Sequence, residues 1–302
     1  MFGQVLTSIV TPFEAQGRID EEGVVKLVEY LLSHGSDGIV VAGTTGESPT
    51  LTHDEKLRLF ALVKKVACNF RDGEKASAKV IAGTGGNDTA SSIQLTREVA
   101  ELGMDGALLV VPPYNRPSQE GLYQHFKAIA DAVPTLPVML YNVPPRTAQN
   151  MDASTTIRLA NDVPNIVATK EAANNLTQVA EIVGGTGESF SVYSGDDAMT
   201  LPLLAVGGVG VVSVSAHLVG DDMKAMVTAF CAGHLEEAAR LNIKMLPIIR
   251  ACFQPTTPSP APLKAALEML GVPAGGLRLP LVAANAKERE LVQVALANYG
   301  LL

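Results

Sequence analysis

The sequence is poor in the residues from which metal sites and disulfide frameworks are built. It has three cysteines, Cys68, Cys231 and Cys252, an odd and widely spaced set in which each lies within an apolar helical pattern. Such residues are typical of reduced core thiols in a cytosolic protein. The five histidines show no metal-like spacing and no Cys–His set accompanies them, which argues against a zinc-dependent enzyme. We therefore expect a cytoplasmic protein without a metal site.

Positive charge is also scarce. Lysine and arginine number 23 against 31 acidic residues, so the formal net charge is −8 and the isoelectric point is near 5.2. This balance argues against nucleic acid or an anionic membrane as a partner. An anionic substrate would have to be bound by a local cation, because the overall field does not attract it.

Two further absences concern membranes and nucleotides. The first residues, MFGQVLTSIV, carry neither a basic region nor a cleavage site, so no signal peptide is predicted. The uncharged stretch 201–220 is long enough to cross a bilayer, but Pro202, Gly207 and Gly210 interrupt it and favour a helix–turn–strand. The glycine-rich GTGGND and GGVGVV lack the lysine of a phosphate-binding loop. We expect neither a membrane span nor a nucleotide-binding fingerprint.

What the sequence does have is a series of eight short apolar runs separated by helical patterns. Continuous apolar residues are typical of strands that are buried on both faces of a parallel sheet. Eightfold alternation of strand and helix predicts a (β/α)8 TIM barrel, with an open, doubly wound sheet as the alternative. The runs are VLTSIV (5–10), GIVVAG (38–43), KVIAGT (79–84), GALLVV (106–111), PVMLYN (137–142), NIVATK (165–170), FSVYSG (190–195) and GVGVVSVS (208–215).

The pattern changes after about residue 220, where the strands stop. Helical patterns over 221–252, 261–270 and 285–300 follow, with the proline-rich QPTTPSPAP as a bend between them. We therefore expect a catalytic barrel over residues 1–220 and a C-terminal helical region, 221–302, packed on the barrel.

Polar residues gather where the predicted strands end. The second strand continues into GTTGES, the fourth into PPYNRPS, the fifth into YNVPPRT and the seventh into SGDD, while the sixth ends on Lys170. In TIM barrels the chemistry takes place at the carboxyl ends of the strands. Turn formation explains the glycines and prolines of these loops, but it explains Tyr114, Tyr141, Arg146 and Lys170 poorly.

Lys170 has two interpretations from its own sequence context. In the first, its stem covers apolar surface and its ammonium pairs with Glu171. In the second, the amine is withdrawn from water for covalent chemistry. Because the pKa of a free lysine is about 10.4, a nucleophile at pH 7 needs burial that lowers this value by several units.

The neighbours of Lys170 favour the second interpretation. Tyr141, on the adjacent predicted strand, is placed to shuttle protons while an amine and a ketone form an imine. The GTTGES loop offers hydroxyls and consecutive backbone N–H groups that suit a carboxylate. Arg146 offers a planar fork for a second carboxylate. Together they predict a lysine that reacts with a keto acid.

These motifs resemble a known family. GTTGES, YNVPPRT, TKEA, SGDD and GVVSVSA look like the dihydrodipicolinate synthase branch of the class I, pyruvate-dependent aldolases. The resemblance runs from about residue 3 to the C-terminal leucines and includes the long segment YNRPSQEGLYQHFKAIA. The wider family, with N-acetylneuraminate lyase and the keto-deoxy sugar acid aldolases, shares the GxTGE loop, the YNxP tyrosine and the Schiff-base lysine. Arg146 and Tyr114 mark the synthase branch.

The resemblance implies roles for four residues in catalysis. Lys170 would form the imine with pyruvate, and Tyr141 would relay protons. Thr44 would link Tyr141 by hydrogen bonds to Tyr114, which in the family the neighbouring subunit delivers. The family is usually a homotetramer built from two tight dimers, and we expect such a homo-oligomer here.

Four more residues are implied in substrate binding. Thr45 and the backbone near Val212 would hold the pyruvate carboxylate, and Gly195 would shape the wall with its carbonyl. Arg146 would orient aspartate 4-semialdehyde by its carboxylate. Aldol addition and ring closure would then give 4-hydroxy-tetrahydrodipicolinate in lysine and diaminopimelate biosynthesis, with no metal or organic cofactor. A sugar-acid lyase of the same superfamily and a non-catalytic keto-acid-binding relative remain as alternatives.

Regulation is where the sequence departs from the family. Lysine-inhibited members bind lysine in a cleft at the dimer interface, and Ser48, His53 and Asn87 match positions of that cleft. However, Lys56 replaces a histidine and Ser91 stands at the position of a glutamate, while Pro113 replaces a tyrosine. Losing the glutamate removes an acceptor for an ammonium group, a bond worth roughly 1.5–3 kcal/mol. The sequence therefore predicts weak or absent inhibition by lysine.

Overall fold

The computed structural model describes residues 2–70 and 78–302 of the chain. Eight strands form a closed barrel in sequence order, β1 to β8, and the neighbouring strands whose registers are defined run parallel. This confirms the predicted TIM barrel and excludes the open sheet. The strands are β1 (Val5–Ser8), β2 (Gly38–Val41), β3 (Lys79–Gly83), β4 (Gly106–Val110), β5 (Val138–Asn142), β6 (Ile166–Glu171), β7 (Ser191–Ser194) and β8 (Gly210–Ser213).

Helices follow the strands as the alternating pattern predicts. They are α1 (Glu21–Ser33), α2 (His53–Asn69), α3 (Thr89–Glu101), α4 (Gln119–Asp131), α5 (Pro144–Thr147), α6 (Ala153–Asp162), α7 (Leu176–Gly185), α8 (Thr200–Ala205), α9 (Ala216–Cys231), α10 (Leu235–Cys252), α11 (Ala261–Met269) and α12 (Ala286–Tyr299).

The starts of these helices follow from short local signals. Thr52 and Glu55 form a capping box at α2, in which each side chain accepts from the other residue's backbone N–H. Ser118 caps α4 by accepting from Gly121 N. Caps of this kind satisfy backbone donors that have no partner within the helix.

At three places where the chain passes from a helix to the next strand, two glycines stand three residues apart. The pairs are Gly35 with Gly38, Gly103 with Gly106, and Gly207 with Gly210. The first glycine of each pair has a positive φ, between 70° and 99°, which ends the preceding helix in a left-handed turn. The second glycine opens β2, β4 or β8. At Gly38 an added Cβ would lie 2.6 Å from the carbonyl oxygen of Lys79, so only glycine fits there.

The C-terminal region is helical, but its segments differ from the prediction. The helical pattern over 221–252 is two helices, α9 and α10, because Gly233 adopts a positive φ of 83° between them. The expectation of three core thiols is wrong: Cys252 is buried, whereas Cys68 is only half-buried and Cys231 is exposed. In residues 2–70 and 78–302, no helix is both long and apolar enough to span a membrane.

The internal contacts divide the chain into two compact units. One comprises Val80–Val212, and the other combines Phe2–Lys79 with Ser213–Leu302. The core of the first includes the fully buried Leu109, Phe126 and Leu140. In the second, the α1 side chains Leu27 and Leu31 are fully buried, as the helical stripe predicts. A boundary at residue 220 between barrel and extension stays a prediction.

Candidate active site

Lys170 is the penultimate residue of β6 and lies between two tyrosines of the neighbouring strands. In the strand register, Lys170 is paired with Tyr141 on β5 on one side and with Tyr193 on β7 on the other. The strand is buried, since Ile166, Ala168 and Thr169 are each at most 2% exposed. Lys170 is itself only 4% exposed, so most of its stem and head are withdrawn from water. A lysine so deep at a strand end is not the snorkelling surface residue of the first interpretation.

The ammonium of Lys170 faces an aromatic ring. Nζ lies 4.4 Å from the centre of the Tyr141 ring, and Tyr141 is itself buried. Among the described residues, none forms an ion pair or hydrogen bond with Lys170 Nζ. An amine in this setting keeps its N–H groups and, once deprotonated, its lone pair available for a substrate.

Glu171, the next residue, is not the partner of Lys170. Its carboxylate accepts from Asn142 Nδ2 at 2.9 Å, from the backbone N–H of Ala173 at 3.0 Å and from Gln178 Nε2 at 3.0 Å. Burial raises the pKa of Glu171, while these hydrogen bonds oppose the rise. Because successive residues of a strand point to opposite faces, Glu171 lies on the other side of β6 from Lys170.

The partners of Glu171 form a buried amide network that the sequence did not reveal. Asn142 donates to Asn150 Oδ1 at 2.8 Å, and Asn150 donates to Gln178 Oε1 at 2.9 Å. Met151 N–H donates to Asn142 Oδ1 at 3.0 Å. The network therefore fastens the end of β5 to the end of β6, which are the positions next to Tyr141 and Lys170. The only sequence signal was the run of amide residues after two apolar strands.

Gly195 follows β7 and packs directly on the stem of Lys170. A Cβ at this position would lie 2.9 Å from Lys170 Cε, 3.0 Å from Lys170 Cγ and 2.8 Å from Ala172 Cβ. Its backbone N–H donates to the carbonyl of Glu171 at 2.7 Å. Glycine is therefore required by space at this position, and the structure brings Gly195, Lys170 and Tyr141 together as the motifs predict.

The other predicted residues of the same unit differ in exposure. Arg146 lies in α5, a single turn that begins with two prolines, and its side chain is exposed. Val212 is fully buried within β8. Tyr114 is 90% exposed and has a φ of +72°, a conformation that non-glycine residues adopt rarely. Asn115 braces the backbone beside it by donating to Asn87 O at 2.6 Å.

Thr44 and Thr45 belong to the second unit and follow β2. Thr45 is buried and Thr44 is half-buried. The segment 43–48 folds back on itself, with Gly46 N–H donating to Gly43 O and Glu47 N–H donating to Thr44 O, each at 3.1 Å. Both threonines thus lie in a tight loop at the carboxyl end of a barrel strand, where TIM barrels place substrate-binding groups.

Comparison with known proteins gives consistent matches over the whole chain. The model of the dihydrodipicolinate synthetase family matches residues 1–299. The chain is 56% identical over 301 residues to a 4-hydroxy-tetrahydrodipicolinate synthase of Moorella thermoacetica, covering 100% of this chain and 99% of the relative. It is 50% identical over 288 residues to that of Bacillus subtilis, with 95% and 96% coverage. A dihydrodipicolinate synthase of Cyanidioschyzon merolae, solved with lysine bound, superimposes with a TM-score of 0.96 at 46% identity, covering 100% of this chain and 99% of the other.

Proposed function

The chain belongs to the dihydrodipicolinate synthetase family, and from that premise we propose that it condenses pyruvate with aspartate 4-semialdehyde to give 4-hydroxy-tetrahydrodipicolinate. This lyase-type reaction of the class I aldolases serves lysine and diaminopimelate biosynthesis. The observation that carries the proposal is Lys170, buried at the end of β6 against the Tyr141 ring with no carboxylate partner in the described chain.

We propose that Lys170 is the Schiff-base residue. Its neutral amine attacks the keto carbon of pyruvate, and the carbinolamine loses water to give the imine. Tyr141 supplies and recovers the protons of these steps, which its place beside Lys170 in the strand register supports. Loss of a methyl proton gives the enamine, whose carbon attacks the aldehyde of the second substrate. The amino group of aspartate 4-semialdehyde then attacks the imine carbon, which closes the ring and expels the Lys170 amine. One water leaves overall, when the imine forms, and no oxidant, reductant or cofactor is consumed.

The remaining site residues are assigned to binding and proton transfer. Thr45 and the backbone near Val212 hold the pyruvate carboxylate, and Gly195 forms the wall beside the imine. Thr44 and Tyr114 extend the proton path from Tyr141. Arg146 receives the carboxylate of aspartate 4-semialdehyde, which its exposure and its fork of donors support.

Borohydride trapping tests the central assignment. Reduction in the presence of pyruvate should add a stable mass to the peptide that contains Lys170. A coupled assay with pyruvate and aspartate 4-semialdehyde, run beside an assay for N-acetylneuraminate cleavage, distinguishes the synthase from a sugar-acid lyase. Modification of another lysine, with Lys170 unlabelled, would exclude the mechanism.

Arg146→Ala tests whether Arg146 binds aspartate 4-semialdehyde and not pyruvate. We expect a large rise in KM for aspartate 4-semialdehyde and a lower kcat, whereas pyruvate trapping on Lys170 survives. Equal losses for both substrates would contradict the assignment of Arg146 to the second carboxylate.

We propose that the chain acts in the cytoplasm as a homo-oligomer, a dimer of dimers in which Tyr114 serves the site of a neighbouring copy. The 90% exposure of Tyr114 on a constrained backbone supports a role across an interface. A Tyr114→Phe chain and a Lys170→Ala chain, each nearly inactive, should regain partial activity when reassembled together. Verified mixed dimers without recovery would place Tyr114 in the site of its own subunit.

We also propose that lysine inhibits this enzyme weakly or not at all. The supporting observation is Lys56, a half-buried cation whose pKa burial lowers, at a position where lysine-inhibited relatives use histidine. With Ser91 in place of glutamate, lysine binding should weaken by on the order of a hundredfold or more. Half-inhibition well below about 1 mM in the coupled assay would refute this.

A further inference from the structure

A second buried lysine lies outside the residues assigned to catalysis. We propose that Lys264 and Arg278, from the C-terminal region, are positioning residues that hold segment 43–48 in the shape that binds the keto acid carboxylate. The inference rests on the proposed function, because that function assigns Thr45 to the carboxylate. All residues involved lie in the unit formed by Phe2–Lys79 and Ser213–Leu302.

The segment needs such support because its backbone is not in a preferred conformation. Glu47, two residues after Thr45, has a φ of +56° and a ψ of +36°, the left-handed region that residues with a Cβ avoid. Its side chain is fully buried, with its carboxylate withdrawn from water. A charged residue in a disfavoured conformation persists only where the surrounding structure holds it.

Lys264 supplies the first half of that support. Its Nζ donates to Glu47 Oε1 and to the carbonyl of Thr11 at 2.7 Å each, and to the carbonyl of Gly276 at 2.5 Å. All three N–H groups of the ammonium are therefore used. The hydroxyl of Thr11 in turn donates to Gly46 O at 2.7 Å. Lys264 is therefore connected to the segment both directly, through Glu47, and indirectly, through Thr11.

Arg278 supplies the second half. Its backbone N–H donates to Glu47 Oε2 at 3.0 Å, which satisfies the other oxygen of the carboxylate. Its guanidinium donates to the carbonyl of Thr50 at 2.7 Å and to both carboxylate oxygens of Glu55 at 2.6 Å and 2.8 Å. The two cations thus fix the chain on both sides of the turn that begins with Ser48.

The ring of Phe13 lies against both cations. Lys264 Nζ is 4.6 Å and the Arg278 guanidinium 4.4 Å from its centre. Such contacts attract the cations while the ring keeps water away from the ion pair. The charges are therefore both paired and shielded, which makes their geometry hard to rearrange.

The arrangement suits positioning better than it suits stability alone. A buried ion pair contributes little net stability compared with apolar side chains of the same volume, but it accepts a narrow range of geometries. Since Thr45 lies two residues before Glu47, a shift of the carboxylate is transmitted to the binding loop. Breaking the pair should therefore weaken the affinity for pyruvate, in addition to the stability that is lost when one buried charge has no partner.

The test compares Lys264→Met with Lys224→Met in the full-length enzyme. Lys224 pairs with Asp37 at 2.8 Å, just before β2, whereas Glu47 follows the same strand. We expect Lys264→Met to raise KM for pyruvate roughly tenfold to a hundredfold, with KM for aspartate 4-semialdehyde within about twofold of wild type. Lys224→Met should leave both constants within about twofold. Assays are run well below each variant's melting temperature.

A double variant separates positioning from stability. Glu47→Gln combined with Lys264→Met removes both charges, so the melting temperature should recover relative to Lys264→Met alone. We expect KM for pyruvate to stay high, because the loop has lost its anchor. A wild-type KM in either variant would overturn the inference, and so would a loss of folded enzyme that leaves the constants of the remaining fraction unchanged.

Hydrogen exchange keeps this inference separate from the proposed function. Amides in 43–48 should exchange faster in Lys264→Met than in wild type or Lys224→Met, whatever reaction the enzyme catalyses. If wild type forms no imine with pyruvate, the proposed function fails, while the exchange rates still decide whether the cations hold the segment. Equal exchange in all three proteins would refute the positioning role.

Discussion

Lys170 and Lys264 are buried to almost the same degree, with relative exposures of 4% and 3%, yet their ammonium groups meet different surroundings. Both lie near an aromatic ring, Tyr141 at 4.4 Å for Lys170 and Phe13 at 4.6 Å for Lys264. Lys264 also donates to three acceptors, including the carboxylate of Glu47. Within residues 2–70 and 78–302, no carboxylate pairs with Lys170.

This contrast shows that burial alone does not identify a nucleophilic lysine. Burial lowers the pKa of Lys264, while its pairing with Glu47 raises it, and every N–H of its ammonium is committed. Such a lysine serves as a fixed cation within the fold. A lysine nucleophile needs a nitrogen that hydrogen bonds do not occupy. Among the described residues none occupies Lys170 Nζ, which supports the role that we propose for it.

The most decisive test of this contrast is to replace each lysine by methionine, which has a similar length and no charge. Lys170→Met should lose activity by on the order of 10⁴-fold or more, because no other group can form the imine. Its free energy of unfolding should fall by less than about 1 kcal/mol, since no ion pair is broken. Steady-state kinetics and urea unfolding check both parts. Strong destabilisation would mean that Lys170 has a structural partner after all.

Lys264→Met should lose more stability than Lys170→Met and less activity. Removing one member of a buried ion pair leaves Glu47 as an unpaired buried charge, which destabilises a protein by about 3–5 kcal/mol. Lys127→Met is the matched control, because Lys127 pairs with Asp131 at 2.8 Å on the exposed face of α4. The control should lose no more than about 0.5 kcal/mol. Similar unfolding midpoints for the two variants would show that the buried Lys264–Glu47 pair matters no more for stability than the exposed Lys127–Asp131 pair.

Acid unfolding tests the second unit by another route. His217 is fully buried; it donates from Nδ1 to Val214 O at 2.7 Å and accepts from Val10 N at Nε2 at 3.2 Å. Burial lowers the pKa of His217 from 6.5 to about 4. As the pH falls from 6.5 to 4, His217 therefore binds a proton in the unfolded chain but not in the folded one. The stabilisation by neutral, buried His217 is complete above pH 6.5 and declines over this range by about 3 kcal/mol in total.

His217→Asn provides the comparison for that effect. The variant should be less stable than wild type at pH 7, and the difference in unfolding free energy should narrow between pH 6.5 and pH 4. Urea titrations at several pH values across this range measure it. A difference that stays constant over this range would show that His217 does not titrate between the folded and unfolded states.

A subtler effect concerns the wall beside Lys170. In Gly195→Ala the new Cβ would press on Ala172 and on two methylene carbons of Lys170, which must then shift. We expect kcat/KM to fall roughly tenfold because the Lys170 stem is displaced, and the melting temperature to fall as well because Ala172 Cβ is fixed to the backbone and cannot swing away. Gly184→Ala is a suitable control, since a Cβ added there would have no atom within 4 Å. Unchanged kinetics in Gly195→Ala would mean that the lysine nitrogen tolerates displacement.

The sequence predicts the barrel and the Lys170 centre because both depend on local patterns. Apolar runs locate the strands, and the order of a closed parallel barrel then brings Tyr141 on β5 beside Lys170 on β6. These features need no knowledge of contacts between residues far apart in the chain.

What escaped prediction depends on such distant contacts. Adjacency in the sequence suggests Glu171 as a partner of Lys170, but strand geometry directs Glu171 to the opposite face, toward Asn142 and Gln178. The ion pair between Glu47 and Lys264 spans 217 residues, and neither local context specifies the other. A charged residue inside an apolar segment, as Lys264 is within APLKAALEML, was the one available signal.

That separation also bears on how the protein is made. Segment 43–48 leaves the ribosome early, but Lys264 follows Glu47 by 217 residues. At roughly 5–20 residues per second, about 10–40 s pass before the anchoring cation is synthesised. During that interval Glu47 has no buried partner and its left-handed backbone has nothing to hold it. Segment 43–48 therefore gains this anchor only when translation is nearly complete, although its own residues are among the first to be translated.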